Sequence, residues 1–256
     1  MRLITLNCWG GKVFEPLMEF FGRNAETTDI FCLQEVLFGT EAKLNVHDTR
    51  NNLFEELKTV LPNFQSFTRL SPPGSLFAGL DPHVPTGQAI FVREGISVTE
   101  HGGFDTYDAE SPIARDKSIT TTGHVQFIKI ATSRQDLLIC NLHGLWQREG
   151  KVDTPYRFRQ SEIILHFLKS RTGPLILSGD FNMLPRMESY RILSKDMYDH
   201  ITKNAITTTR SPLYTRITKA PHSDYTLSSP EVTTNGFQVL PDVVSDHLPL
   251  VLDFEA

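Results

Sequence analysis

The chain has 256 residues, 39% of them hydrophobic and 21% charged, with a formal net charge of −5. That balance excludes a low-complexity or disordered chain, and no apolar run approaches the roughly 20 residues that a membrane-crossing helix needs. The acidic balance, with no run rich in Lys or Arg, argues against tight, sequence-independent binding of long duplexes, because that affinity depends on releasing counterions from phosphates.

Strands and helices alternate over the first half of the chain. Residues 3–8 read as a strand, and 14–24 as a helix with Leu17, Phe20 and Phe21 on one face. A short apolar strand, 29–34, runs into Glu35, and 48–61 has the pattern of an amphipathic helix stopped by Pro62. The stretch 71–87 holds four prolines and three glycines and is expected to be a loop. Strand patterns follow at 88–92, 96–99, 125–131 and 137–142. Thr154 and Pro155 then form an N-cap and first helical position, where the missing proline N–H costs nothing. That helix is expected to turn Phe158, Ile163, Ile164 and Phe167 inward. A buried strand at 175–178, a short helix at 187–195 and late strands at 225–228, 237–240 and 248–254 complete the pattern. No stretch reads as a linker and no internal repeat stands out, so 1–256 is expected to be one α/β domain.

The N-terminus enters a strand directly, with no leader pattern. Cys8, Cys32 and Cys140 each lie in apolar strand-like segments. Their odd number predicts reduced core thiols and a cytoplasmic setting.

Several strands share one design, an apolar run ending in an amide, carboxylate or imidazole. They are Leu6-Asn7, Leu33-Gln34-Glu35, Ser178-Gly179-Asp180-Phe181-Asn182 and Ser245-Asp246-His247-Leu248, joined by Asn141-Leu142-His143 and Ser223-Asp224-Tyr225. Charged groups beside fully apolar strands are costly to bury unless paired or bound to a cation. Hard oxygen donors without thiolate or His–His spacing suit Mg²⁺ or Mn²⁺ better than Zn²⁺. Taken singly, each residue has a plain structural reading: Asp180 as a turn former, Asn7 as a strand end, His143 as a satisfied core histidine. The combination is what points to chemistry.

Together, Gly179-Asp180-Phe181-Asn182 and Ser245-Asp246-His247, with Leu33-Gln34-Glu35 and Leu6-Asn7 in the same order, resemble the motifs of the endonuclease/exonuclease/phosphatase (DNase I-like) superfamily. The resemblance implies a four-layer α/β sandwich with two packed mixed sheets flanked by helices. It further implies a Mg²⁺- or Mn²⁺-dependent hydrolase of phosphate esters. In that scheme Glu35, Asn7 and Asp246 serve the metal. Asp180 orients and deprotonates the attacking water, with Asn182 holding water or phosphate. His247, oriented by Asp224, contacts the phosphate, and His143 assists at the leaving oxygen. Trp9, Trp146, Arg148 and Lys151 are candidate rim residues, although Trp9 fits a core position equally well. Arg157 reads as a solvent-facing helix-start residue or a phosphate clamp. Val36, where abasic-site endonucleases carry Lys after the metal-binding Glu, argues against that specialisation. The leading substrate class is a phosphodiester in DNA, RNA or a nucleotide conjugate. The alternative is a small or lipid phosphoester such as a sugar phosphate, inositol phosphate or sphingomyelin. A non-catalytic binding module is disfavoured, because the Asp180–Asn182 and Asp246–His247 pairs are intact.

Overall fold

A computed structural model describes residues 1–256 apart from 43, 45–47, 72–83, 108–122, 148 and 216–219. The first half holds β1 (Arg2–Asn7), α1 (Phe14–Asn24), β2 (Ile30–Leu37), α2 (Leu53–Val60), β3 (Phe64–Leu70), β4 (Thr86–Arg93), β5 (Val98–Asp105), β6 (His124–Ile130) and β7 (Leu137–His143). Then follow α3 (Pro155–Lys169), β8 (Leu175–Asp180), α4 (Glu188–Ser194), β9 (Tyr198–Asp199), α5 (His200–Lys203), β10 (Asp224–Ser228), β11 (Thr233–Val239) and β12 (Leu250–Glu255). The strands form two six-stranded sheets, ordered β11-β12-β1-β2-β4-β3 and β5-β6-β7-β8-β10-β9. Among the described residues no helix is long and apolar enough to cross a membrane.

Strand alternation explains the layering, because successive side chains point to opposite faces of a sheet. Leu3, Ile30, Cys32, Ile90 and Val92 of the first sheet pack between the sheets against Ile128, Ile130, Ile139 and Ile176 of the second. Their neighbours Ile4, Leu6, Phe31 and Leu33 point outward onto Leu17, Phe20 and Phe21 of α1 and Leu53 and Leu57 of α2. On the far side Leu138, Cys140, Leu142 and Leu177 meet Ile164 and Leu168 of α3 and Tyr190 and Leu193 of α4. Strands buried on both faces read as continuous apolar runs, which is why these segments stand out in sequence. The result is the expected four-layer α/β sandwich. Cys8, Cys32 and Cys140 are buried and unbonded to one another.

Topology decides where the polar strand ends meet. β1 pairs parallel to β2, and β7 parallel to β8, so Asn7, His143 and Asp180 all end strands at one edge. The antiparallel β10 begins at that edge, with Asp224 opposite Asp180. β12 runs antiparallel to β1, which returns the preceding 245–247 segment to the same edge. A buried amide bridge ties the sheets together just beneath it. Gln34 Nε2 donates to Asn141 Oδ1 (2.6 Å), Asn141 Nδ2 to the Leu33 carbonyl (3.0 Å), and Gln88 Nε2 to the Asn141 carbonyl (2.9 Å).

Several expectations need correction. The helix expected over 48–61 spans only Leu53–Val60. Asp48 has φ +60, and the backbone before Leu53 bonds elsewhere, Arg50 N to Gly10 O and Gly39 N to Asn51 O. β2 does not stop at Glu35; a bulge between Leu33 and Val36 carries it on to Leu37. Of the expected loop 71–87, Thr86 and Gly87 belong to β4, while 72–83 lie outside the described residues. The inner face of α3 is Arg157, Gln160, Ser161, Ile164 and Leu168; of the expected Phe158, Ile163, Ile164 and Phe167, Ile164 is buried and Phe167 half-buried against the core, while the face is rotated toward Arg157, Gln160 and Ser161. The rotation follows the polar work that this face does, with Gln160 Oε1 accepting from Leu145 N and Ser161 Oγ donating to Ser189 O.

Helix α4 lacks a cap of its own at Met187 and borrows one. Asp153 accepts from Glu188 N (2.9 Å), Ser189 N (3.0 Å) and Ser189 Oγ (2.6 Å). Loss of such a cap typically costs about 1 kcal/mol. Asp153→Ala is therefore expected to lower the unfolding free energy by that much, read as a lower denaturant midpoint at unchanged slope, and an unchanged midpoint would show that the cap contributes nothing.

His200 is wholly buried, its Nε2 2.9 Å from Ser228 Oγ and its ring against Tyr198 and Phe237. Burial pushes its pKa down to about 4, against about 6.5 in an unfolded chain. Between those values the unfolded chain binds more protons, so the stability due to neutral His200 is present above about pH 6.5 and is lost as pH falls toward 4. Thermal melts at about pH 7 and about pH 5 are expected to differ more for the parent than for His200→Gln; equal differences would contradict the assignment.

Candidate active site

Two backbone devices aim the acidic groups. Glu35 sits at the β2 bulge with φ +56, which turns its side chain from the sheet face toward the strand end. Asn182 has φ +53 two residues beyond the end of β8. Gly179 is required at that end. Its φ is +135, and a Cβ there would lie 2.2 Å from the Leu142 carbonyl oxygen.

Asp180 is the hub. Its Oδ1 accepts from Ser223 Oγ (2.6 Å) and Asn182 N (2.9 Å), and its Oδ2 accepts from Asn7 Nδ2 (3.1 Å) and Asn182 Nδ2 (3.4 Å). Asn182 Nδ2 also donates to the Gly144 carbonyl (3.1 Å), and Asn7 Oδ1 accepts from Trp9 N (3.0 Å). His143 Nε2 lies 3.7 Å from Glu35 Oε1, and Glu35 is only 13% exposed. On the other side His247 Nδ1 lies 2.7 and 2.9 Å from the two Asp224 oxygens, and Asp224 Oδ2 accepts from Thr209 Oγ1 (2.9 Å). His247 Nε2 points inward, 3.8 Å from Asp180 Oδ2 and 3.7 Å from Asp246 Oδ1. The structure thus gathers Asn7, Glu35, His143, Asp180, Asn182, Asp224, Asp246 and His247 around one point.

The electrostatics divide the carboxylates. Burial, with the neighbouring Asp246 and Asp180 charges, raises the Glu35 pKa to about 8, against the opposing pull of Asn7 and His247. Burial also works against the Asp180 charge, but His247, Arg210, His143 and Lys151 outweigh it and hold that carboxyl well below the usual range. Burial and Arg210 disfavour a charged His247, yet Asp224, Asp246 and Asp180 prevail and raise its pKa. The Glu35 side is therefore short of positive charge. Two donor groups could hold a metal ion, Glu35–His143–Asp180 on that side and Asp180–Asp224–His247 on the other, with the donor atoms of each within 4.8 Å of one another. A mainly oxygen donor set around a charge-starved carboxylate fits a hard divalent cation.

The expected rim residues Trp9 and Trp146 and the expected helix-start or clamp residue Arg157 are placed differently from one another. Trp9 is half-buried with Lys12 Nζ 4.6 Å from its ring centroid, and Trp146 is half-buried next to buried Leu145. Arg157 is neither solvent-facing nor presented to a ligand. It is fully buried, and its guanidinium donates to the Gly150 (2.8 Å), Val152 (2.6 Å) and Leu145 (3.4 Å) carbonyls, which makes it a strut for the loop before α3. Arg148 lies outside the described residues.

Sequence reading missed one cation, Arg210, and set a second, Lys151, at the rim. Arg210 pairs with His247 in an isolated antiparallel bridge, its Nη1 contacts His247 Nε2, and it lies 3.6 Å from Asp246 Oδ2. Lys151, expected at the rim, instead reaches inward, and its Nζ donates to the His222 carbonyl (2.5 Å). Burial and Arg210 push the Lys151 ammonium down to about 7. No motif marks Arg210; only the fold brings the 207–212 segment beside His247.

Solved structures share this architecture along the full chain. A Leptotrichia buccalis endonuclease/exonuclease/phosphatase family protein superposes with TM-score 0.72 at 21% identity, covering 100% of both chains. A Bacteroides thetaiotaomicron mannosyl-6-phosphatase gives 0.71 at 18% identity, again covering 100% of both. The human Nocturnin catalytic domain gives 0.66 at 20% identity, covering 100% of this chain and 93% of that one. No curated relative matches the chain in sequence. Residues 4–247, from the first strand to the inward-pointing histidine, match the profile of the Endonuclease/Exonuclease/phosphatase family, and the chain belongs to that family.

Proposed function

We propose that the chain is a divalent-metal-dependent hydrolase of phosphate esters, acting as one catalytic unit over 1–256. The observation that carries this reading is the opposed pair of groups around Asp180: a charge-starved carboxylate, Glu35, on one side and an Asp224-anchored His247 on the other, 3.8 Å away through Nε2. Nucleases and phosphatases, the activities in the family's name, both cleave phosphoester bonds.

Asn7, Glu35 and Asp180, with His143 and Asp246 near them, would hold Mg²⁺ or Mn²⁺. Such an ion would cancel phosphate charge and polarise phosphorus. The chain's own residues do the rest. Asp180, kept ionised, takes a proton from water, its carboxylate fixed at Oδ1 by Ser223 and at Oδ2 by Asn7 and Asn182. Asn182, anchored to Gly144 O, orients that water. His247 donates from Nε2 to a non-bridging phosphate oxygen, with Asp224 holding its proton on Nδ1. His143 stands where it can pass a proton to the leaving oxygen. Asp246 steadies both the cation side and Arg210.

Two substrate classes fit this chemistry. A phosphodiester in DNA, RNA or a nucleotide conjugate is the reading of the motifs. A small phosphoester is the second, and two observations favour it: the acidic net charge of −5 and the two half-buried cations, Arg210 and Lys151, packed beside the centre. The mannosyl-6-phosphatase neighbour shows the same fold in an enzyme named for a small sugar phosphate. Trp9 and Trp146 remain the candidates for substrate contact at the rim.

Glu35→Gln, Asp180→Asn and His247→Ala are each expected to lower Mg²⁺- or Mn²⁺-dependent turnover about 100-fold or more, with folding verified by circular dichroism. A panel of DNA, RNA, sugar phosphates, inositol phosphates and lipid phosphoesters reads the loss. Near-parental rates in all three folded variants would refute the assignment. Mn²⁺ is also expected to raise the melting temperature of the parent and much less that of Glu35→Gln, because a ligand stabilises only the state that binds it. An identical rise in both would remove Glu35 from the cation site.

A further inference from the structure

The cationic side of the centre is richer than a diester requires. Arg210 and His247 face each other across an antiparallel bridge, which sets both side chains on one face. The Arg210 side chain is 9% exposed, its guanidinium 4.2 Å from the Tyr214 ring centroid and 3.6 Å from Asp246 Oδ2. Its buried Nε has no hydrogen-bond partner among the described residues. A guanidinium has only donors, and His247 Nε2 beside it is the atom expected to donate to phosphate. The carboxylates beside them, Asp246 at 3.6 and 3.7 Å and Asp180 at 3.8 Å, lie beyond hydrogen-bond distance, so a substrate oxygen would supply a closer acceptor to both.

We propose that Arg210, backed by Lys151, binds the third non-bridging oxygen of a phosphomonoester, so that the substrate is a terminal phosphate and not an internal diester. This rests on the phosphoester-hydrolase reading above and names its substrate class. The argument is a count of oxygens. A diester phosphorus carries two non-bridging oxygens, and a monoester carries three. Around the reacting position the chain sets three separate groups: the Asn7–Glu35 side where a cation fits, His247 Nε2, and the Arg210 fork. A diester satisfies the first two and offers Arg210 only an uncharged, carbon-bearing bridging oxygen, a weak acceptor that leaves the guanidinium poorly paired. A monoester gives each an oxygen. Lys151 Nζ, held on the His222 carbonyl, adds positive charge behind Arg210 and suits the second negative charge of a monoester. In the reaction water adds its oxygen to phosphorus and the ester P–O bond breaks. One water proton ends on the leaving alkoxide oxygen, and the other stays on hydrogen phosphate.

The test compares p-nitrophenyl phosphate with its methyl ester, which share a leaving group, with Mn²⁺ present and at a pH above the second phosphate ionisation of about 6. The parent is expected to favour the monoester. Arg210→Gln is expected to cut kcat/KM for the monoester roughly 10- to 100-fold and for the methyl ester far less, with Arg210→Lys intermediate and Lys151→Met milder. Equal losses on both substrates, or a parent that prefers the methyl ester, would overturn the proposal. Calorimetric titration of the metal-free protein with inorganic phosphate and with dimethyl phosphate gives a readout independent of turnover. Inorganic phosphate is expected to bind more tightly to the parent than dimethyl phosphate does, and Arg210→Gln to erase the difference. If neither ester is hydrolysed but that difference holds, the hydrolase reading fails while the anion site stands. If phosphate binding is indifferent to Arg210→Gln, the site falls whatever the activity.

Discussion

The burial of Asp180 and Glu35 at the shared end of two apolar sheets is the constraint around which the rest of the molecule is arranged. Both carboxyls lie in surroundings that penalise charge, and the fold answers them differently. Asp180 is surrounded by donors from β1, the loop before β10 and its own strand end, with two histidines, an arginine and a lysine beyond. Glu35 receives less help and has acidic neighbours. A site that satisfies one carboxylate internally and leaves the other short of positive charge offers a group that could hold a cation.

Such an arrangement needs a scaffold that cannot drift. The parallel pairs β1–β2 and β7–β8 deliver their C-terminal ends side by side within each sheet, and the Gln34–Asn141–Gln88 bridge fixes one sheet against the other directly below. Each of these amides belongs to a strand that carries or borders an active residue: Gln34 precedes Glu35, and Asn141 lies two residues before His143. The same hydrogen bonds that satisfy buried amides therefore also set the distance across the site. The glycine before Asp180 serves the same end, since β8 approaches β7 too closely for a side chain.

The opposite wall of the site is built from chain segments with little secondary structure. His247 and Arg210 meet through an isolated bridge, and Thr209 joins them by holding Asp224. This wall concentrates donors as the other concentrates acceptors. A phosphate group, anionic on its non-bridging oxygens, is matched to a cleft polarised in that way.

Much of this was legible in the sequence. The apolar runs of β1, β2, β7 and β8 stand out because they are buried on both faces, and their polar ends mark Asn7, Glu35, His143 and Asp180 without any knowledge of pairing. Thr154–Pro155 announced its helix because capping is a local interaction. What only the tertiary structure decided was non-local. The α2 start moved to Leu53 because the residues before it bond to Gly10 and Gly39. Arg157, polar and adjacent to a helix start, was drawn inward to satisfy three carbonyls. Arg210 carries no local signature, since its position beside His247 comes from a bridge between segments 37 residues apart. Local periodicity and capping fix which residues end the strands; the hydrogen bonds that choose among distant partners decide which of them face one another.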